Sequence, residues 1–236
     1  MVAFVGNIAA GKSTAIRRLS QSMRLEMDMM KRKKNYKRPI KIVWMLEPTD
    51  VWEERGWLEE FCKDPNQNAF WFQFGVFDSH VDKVEEMIKK RKPNETLIII
   101  AERSFYCQRL FWEIQMDMKR AKKQQDEVYL AIWKKWKRFI PEPSMLFYFQ
   151  TSNLDINMER IKNRSRDGES TYTREYLSLL DSKHKQWFTS PKAFPPDAPQ
   201  KGVPCVPINA DDAYHTDEEA LQRLSSTLAA HLVCLV

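Results

Sequence analysis

One short stretch near the start of the chain, Gly6-Asn7-Ile8-Ala9-Ala10-Gly11-Lys12-Ser13-Thr14, constrains the fold more than any other feature. It satisfies the spacing GxxxxGK[ST]. Before it runs Val2 to Val5, an apolar segment with the length of a buried strand; after it, Lys12 to about Met23 reads as a helix. Glycines at the bends let successive backbone N–H groups turn inward around phosphate oxygens. The helix N-terminus adds the positive end of its dipole, Lys12 adds a point charge, and the Ser13 hydroxyl can hold Mg²⁺. The chain has only six glycines in 236 residues, and two fall here. A tight strand–helix turn with no ligand would not need Lys12. The expected ligand is a nucleoside triphosphate.

Strand-like and helical segments alternate through the rest of the sequence. Ile42 to Leu46 is a second strand, ending at Glu47-Pro48. Pro65 to Arg91 is a long helix with Phe70, Phe77, Val81, Val84 and Ile88 at helical spacing. Thr96 to Ala101 is apolar on both faces, as in a covered parallel sheet. It leads into Glu102-Arg103-Ser104. Lys-rich helical sequence continues to Phe139, and Met145 to Gln150 is a fourth strand. Ser152-x-x-Asp155 reads as a capping box opening a helix to about Arg164. A helix from Thr173 to Phe188, a Pro-rich loop from Pro191 to Pro204, and a fifth strand from Val203 to Ile208 follow, and Thr216-x-x-Glu219 caps the last helix. This alternation predicts an α/β fold in one domain over residues 1–236: a doubly wound, five-stranded parallel sheet with helices on both faces. The Met-rich stretch 23–41, with Lys31 to Lys34 and Lys37-Arg38-Pro39, is expected to be an exposed basic insert, the alternative being a partner-binding surface.

Composition narrows the function classes. Thirty-eight Lys and Arg against 32 Asp and Glu leave +6, which suits nucleotides, phosphates or nucleic acid without choosing among them. Cys62, Cys107, Cys205 and Cys234 form no CxxC, and the four histidines form no HExxH, so neither a zinc site nor a disulfide framework is expected. No apolar run approaches the roughly 18 residues of a membrane span. No signal peptide or Arg- and Ser-rich presequence is recognisable. The expected compartment is the cytoplasm; a nuclear protein would look the same, and a mitochondrial form is disfavoured.

In a parallel sheet the C-terminal ends of the strands open on one crevice, where ligands bind. The loop at Gly6, Glu47 after the second strand and Glu102-Arg103 after the third should therefore converge. One carboxylate can accept a proton from a hydroxyl, a second can bind Mg²⁺, and an arginine can hold the attacking oxygen. That inventory suits phosphoryl transfer to an alcohol. Glu47 is expected to be an ordinary ionised carboxylate that needs no tuning.

Four motifs in order, GNIAAGKST, Glu47-Pro48 with Trp52, Glu102-Arg103-Ser104, and Arg160 to Glu169 (RIKNRSRDGE), resemble the deoxynucleoside kinases. The resemblance covers residues 1 to about 212. It implies ATP and Mg²⁺ as cofactors, a deoxynucleoside as substrate, a role in nucleotide salvage and a homodimer, with neither membrane nor nucleic acid as partner. It also implies residue roles. Glu47 would be the general base on the 5′-hydroxyl, and Arg103 would orient that hydroxyl. Glu102 would hold Mg²⁺ with Ser13. Arg160, Arg164 and Arg166 would belong to a lid, residues 160–170, over the ATP phosphates; Arg160 and Arg164 do share a helix face at i, i+4. Glu169 would take the sugar 3′-hydroxyl, and Asn209 to Asp212 would lie near the adenine.

At the base end the resemblance assigns Gln73 to a paired donor–acceptor contact with a pyrimidine edge. Trp52, Phe72 and Trp112 would line or stack on the base. Gln73, Val76 and His80 fall at i, i+3 and i+7 on one helix face. This chain has His80 and Gln108 where deoxycytidine kinases carry arginine and aspartate, and a bulkier Val76, which together point to a pyrimidine, thymidine or deoxycytidine. Other departures are Cys62 where many members have a tyrosine on the 3′-hydroxyl, Val5 in place of a glutamate, and the long insert at 23–41. Two other readings share the loop. A nucleoside monophosphate kinase, similar to thymidylate kinase, would need an arginine for its acceptor phosphate. A non-enzymatic, nucleic-acid-binding protein would use the basic insert and bind in a salt-dependent way.

Overall fold

The computed structural model describes residues 1–22, 24–32, 39–166, 169–189 and 203–235. Five strands, β1 (Val2–Gly6), β2 (Ile40–Met45), β3 (Thr96–Glu102), β4 (Met145–Gln150) and β5 (Cys205–Asn209), form one parallel sheet in the order β2-β3-β1-β4-β5. The strand that carries the glycine loop is therefore the central one, with Val2 beside Ile100 on one side and Met145 on the other. Both faces of β1 are buried, as its apolar sequence requires. Ala3 and Val5 point into one core and Val2 and Phe4 into the other, following the two-residue period of a strand.

Helices cover both faces. On one lie α1 (Lys12–Ser22), α2 (Arg24–Arg32) and α10 (Glu218–Leu232), which pack Ile16, Leu19, Leu25, Met29, Leu221 and Leu228 against the sheet. On the other lie α5 (Pro65–Lys89), α6 (Phe105–Asp117), α7 (Lys123–Lys137) and α9 (Arg174–Thr189), contributing Phe77, Val84, Leu110, Trp133, Leu177 and Trp187; α8 (Leu154–Arg164) adds Ile161. The long helix α5 starts where chemistry says it should. The Asp64 side chain accepts from the N–H groups of Asn66 and Gln67, and Pro65 occupies the first turn, where no N–H is needed.

The doubly wound sheet agrees with the sequence expectation, and four local features do not. Part of the basic insert is a helix, α2, whose Leu25 and Met29 sit one turn apart and are buried against α10. Burial of that apolar stripe outweighs the high local charge. Residues 23 and 33–38 of the insert lie outside the described residues, as do residues 190–202 around the Pro-rich loop, while Ile40 and Lys41 at the end of the insert already belong to β2. Second, α3 (Thr49–Glu54) and α4 (Trp57–Lys63) fill a stretch with no predicted element, and carry a third apolar cluster of Trp52, Leu58, Phe61 and Cys62 against Ala69, Phe72 and Val76 of α5. Third, the Lys-rich helical stretch is two helices, parted where Lys119 takes a left-handed φ of 57°.

Both predicted caps are displaced by one residue. Asn153, not Ser152, caps α8, accepting from the N–H groups of Asp155 and Ile156. The Ser152 N–H is instead held by Asp211 Oδ1 at 2.8 Å. Asp217, not Thr216, caps α10 by accepting from Ala220 N–H. Thr216 closes the turn before it, its N–H bonded to the Ala213 carbonyl.

Candidate active site

The phosphate loop hangs from the end of the central strand. Gly6 has φ +141°, and a Cβ there would lie 2.4 Å from the Phe149 carbonyl oxygen on β4, so only glycine fits. Ala9 and Gly11 also take left-handed φ values, 57° and 83°. The loop is pinned from outside. The Asn7 amide donates to the Leu177 carbonyl on α9 at 3.0 Å, and Asn157 of α8 donates to the Ile8 carbonyl at 2.7 Å. Asn157 is itself held by the Thr151 hydroxyl, which donates to its Oδ1 at 2.6 Å. Lys12 Nζ folds back to the carbonyls of Asn7 (2.7 Å) and Gly6 (3.2 Å). Ile8, Ala9, Ala10, Gly11, Lys12, Ser13 and Thr14 line a cavity of about 430 Å³, while Gly6 and Asn7 sit behind the loop.

Three strand-end side chains meet that loop, as the parallel sheet requires. Ser13 Oγ donates to Glu102 Oε1 at 2.6 Å. Arg103 Nε lies 2.7 Å from Glu47 Oε1, and its NH1 donates to the Gly6 carbonyl at 2.9 Å. Arg103 achieves this with a left-handed φ of 63°, a strained backbone of the sort found at working sites. Its guanidinium stacks 4.5 Å from the Phe111 ring centre.

Burial dominates the electrostatics here. It pulls Lys12 down from the usual lysine range to about 7; nearby Arg103 acts in the same direction, and Glu102 and Glu47 oppose them. Glu47 moves up. Burial and the neighbouring Glu102 charge raise it, while Arg103 and Lys12 hold it down incompletely. The expectation of an untuned carboxylate is therefore corrected, because a strand end inside a covered crevice is desolvated. Arg103 is desolvated too, yet the carboxylates of Glu47 and Glu102 hold it firmly charged.

The arginines of the expected lid segment have distinct partners. Arg160 donates to the carbonyls of Ala210 (2.7 Å), Asp211 (3.2 Å) and Asp212 (3.4 Å), and reaches Ala9 at 3.5 Å. It thus ties the 210–212 loop to the phosphate loop. Arg164 forms a two-pronged pair with Glu169, both contacts at 2.7 Å. Arg166 reaches Glu53 at 2.6 Å and Glu169 at 3.4 Å. All three arginines and Glu169 line the cavity; residues 167 and 168, within the lid segment, lie outside the described residues.

At the other end Trp52, Phe72, Gln73, Val76 and Gln108 line the cavity. Phe61 stacks on Phe72 at 4.6 Å, and Trp52 donates its indole N–H to Ser79 Oγ at 2.9 Å. Gln73 is 2% exposed, and among the described residues its Oε1 has no hydrogen-bond partner. Two expected members stand elsewhere. His80 is buried in the core, both ring nitrogens without a hydrogen-bond partner among the described residues, and burial pulls it down to about 4. It shares a helix face with Gln73 but sits seven residues on, about 10 Å further along the axis. Trp112 is also fully buried, stacked 4.4 Å from Tyr129 with its N–H on Asp126 Oδ1 at 2.7 Å. Phe111 lines the cavity instead, and its i, i+3 spacing from Gln108 was the signal that could have found it. Arg17, Asn163, Tyr172, Tyr176, Tyr214 and His215 also line it without having been singled out in the sequence.

A parallel sheet whose central strand feeds a lysine-bearing glycine loop, with a carboxylate–arginine pair at the neighbouring strand ends, defines a P-loop kinase fold. The comparison with protein families then specifies which kind. A sequence model of the deoxynucleoside kinase family matches residues 2–233, and the chain belongs to that family. It is a kinase acting on deoxynucleosides. Its relatives include a fowlpox virus protein described as a probable deoxycytidine kinase, 26% identical over 96% of this chain and 86% of its own. Another is the deoxyadenosine kinase of Dictyostelium discoideum, 21% identical over 56% of this chain and 51% of its own.

Proposed function

We propose that this chain transfers the terminal phosphoryl group of ATP to the 5′-hydroxyl of a pyrimidine deoxynucleoside, thymidine or deoxycytidine, in nucleotide salvage. The observation that carries the base contact is Gln73, a buried carboxamide on the cavity wall whose oxygen lacks a donor among the described residues. An N–H on the base edge would supply that donor, and the amide N–H can return a bond to an adjacent acceptor. Val76 and Gln108 beside it carry no charge to anchor a purine. The fowlpox relative's name supports deoxycytidine over thymidine.

The chain's own groups divide the chemistry. Glu47, raised towards working pH and held by Arg103, accepts the hydroxyl proton. Arg103 orients the attacking oxygen. Lys12 and the loop amides hold the phosphates, and Arg164 and Arg166 bring positive charge to the same cavity. Ser13 and Glu102 fit Mg²⁺, since a hydroxyl and a carboxylate already meet at 2.6 Å and both offer the hard oxygen ligands that ion takes. When bound, Mg²⁺ supplies charge neutralisation for the transferring phosphoryl group. The chain acts as one domain over residues 1–236, in the cytoplasm and as a homodimer, the state that light scattering would read.

ATP-dependent phosphorylation of the four natural deoxynucleosides tests the reading. Thymidine or deoxycytidine should exceed both purines in kcat/KM by about tenfold or more, the scale of one well-placed hydrogen-bond pair. Equal efficiencies, or a purine preference, would overturn it.

A further inference from the structure

Cys62 poses a question for sugar recognition. Its side chain is buried on α4 within the cluster of Trp52, Phe61 and Phe72, and burial pushes its thiol up, leaving a neutral, weakly polar group. Cys62 is also not among the residues that line the cavity. What stands on it is Tyr172. The Tyr172 ring packs against the Cys62 cluster, its hydroxyl neighbours the Cys62 thiol as a hydrogen-bond partner, and its side chain lines the cavity. Its ring centre is 5.5 Å from that of Tyr176, and its backbone N–H donates to the Glu169 carbonyl at 3.1 Å. The phenol and the Glu169 carboxylate therefore sit on a single short turn and face the same cavity.

We propose that Tyr172 is a specificity residue for the sugar, its phenol binding the nucleoside 3′-hydroxyl together with the Glu169 carboxylate. The inference rests on the proposed function, which puts the reacting 5′-hydroxyl at Glu47 and the base at Gln73. The sugar joins those two ends. Glu169 is linked through Arg166 to Glu53 and Thr49, just beyond Glu47, and Tyr172 packs on the cluster that includes Phe72 and Val76. Tyr172 thus lies between the two ends. The chemistry is complementary: a hydroxyl is both donor and acceptor, an ionised carboxylate only accepts, and a phenol can donate. Burial and the neighbouring thiol keep that phenol protonated throughout the working range. Neither group alone satisfies a 3′-hydroxyl; the pair does. Because Tyr172 follows the lid arginines in the chain rather than belonging to α4, sugar recognition and the placement of Arg164 share one segment.

The test compares Tyr172→Phe with the parent on deoxycytidine and thymidine and on their 2′,3′-dideoxy analogues, with kcat and KM measured separately. The variant should raise KM for the deoxynucleosides about tenfold or more with little change in kcat, while leaving the dideoxy analogues unaffected, so that discrimination between the two collapses. A role in packing alone would shift both substrates equally and would overturn the proposal. Cys62→Ala checks the geometry: it removes the thiol but not the phenol, and should keep the parent's discrimination. If Cys62→Ala abolishes discrimination while Tyr172→Phe keeps it, the assignment is wrong. A parent that phosphorylates no nucleoside overturns the site reading and this assignment together, whereas an active parent with an unchanged Tyr172→Phe ratio overturns only the latter.

Discussion

Burial and Arg103 pull the Glu47 carboxyl in opposite directions, and burial wins. A base works only when deprotonated, so a raised pKa moves the acid limb of the kcat/KM profile upward, to a midpoint above 4.5, with activity rising as pH climbs through it. Glu47→Gln keeps the shape and loses the acceptor. It should lose about 10² or more in kcat and bind nucleoside within a few-fold of the parent, read by phosphate transfer and calorimetry respectively. Lys12 gives a prediction of opposite sign. In the free protein it titrates near 7, so at pH 8 much of it is neutral. Phosphate oxygens favour the ammonium form. Triphosphate binding at pH 8 should therefore take up a proton, seen as a buffer-dependent heat in calorimetry, and affinity should weaken as pH rises above about 7. His80 is a contrasting residue, since its two ring nitrogens, unpartnered among the described residues, are buried at a cost in stability. His80→Leu should leave base preference unchanged and raise stability by about 1 kcal/mol or more, measured by denaturant unfolding.

Among the elements, α8 lines the cavity with Arg160, Asn163 and Arg164 and also braces the phosphate loop from behind through Asn157. Asn157 holds the Ile8 carbonyl from behind, so Asn157→Ala should loosen the loop, weakening triphosphate binding about tenfold and costing about 1–3 kcal/mol of stability; titration and denaturant unfolding check the two effects. Nothing in the sequence marked that residue, because its role depends on α8 crossing the loop, which is a tertiary fact. The same distinction runs through the whole fold. The five strands were legible as short continuous apolar runs, and α5 as a long helical period opened by Asp64 and Pro65. α3 and α4, six and seven residues long, are too short to show a period, and only packing against Phe72 and Val76 makes them helices. Leu25 and Met29 were hidden among lysines and arginines. At the site, residues in contiguous motifs, such as Lys12 and Glu102, were readable directly. His80 was not, since helical phase fixes a face but not depth along the axis; Trp112 came from the resemblance alone, whereas spacing from Gln108 favours Phe111. Arg160 lines the cavity, but its carbonyl partners in the 210–212 loop could not be read from spacing.

For the whole molecule, the cavity wall draws on segments from Ile8 to His215, which spans most of the chain. Ligand binding should therefore stabilise the fold globally rather than a lid locally. A non-hydrolysable ATP analogue at a hundred times its Kd adds about 2.7 kcal/mol, and for a chain of 236 residues that corresponds to a melting shift of about 5–11 °C in a single transition. A shift confined to part of a multiphasic melt would contradict this. The central position of β1 carries another consequence, for a chain made one residue at a time. The strand that shapes the loop emerges first, yet its neighbours are β3, beginning at Thr96, and β4, beginning at Met145. At about 5–20 residues per second, the nascent strand waits roughly 7–30 s for its second neighbour. During that wait it has one bare apolar edge, of the kind that chaperones cover. A product that stops before Met145 contains every residue of the loop, but lacks Phe149 beside Gly6, Asn157 behind Ile8 and Leu177 above Asn7. Interrupted translation therefore leaves fragments that carry the phosphate motif without its shape, and such fragments should neither hold nor consume ATP.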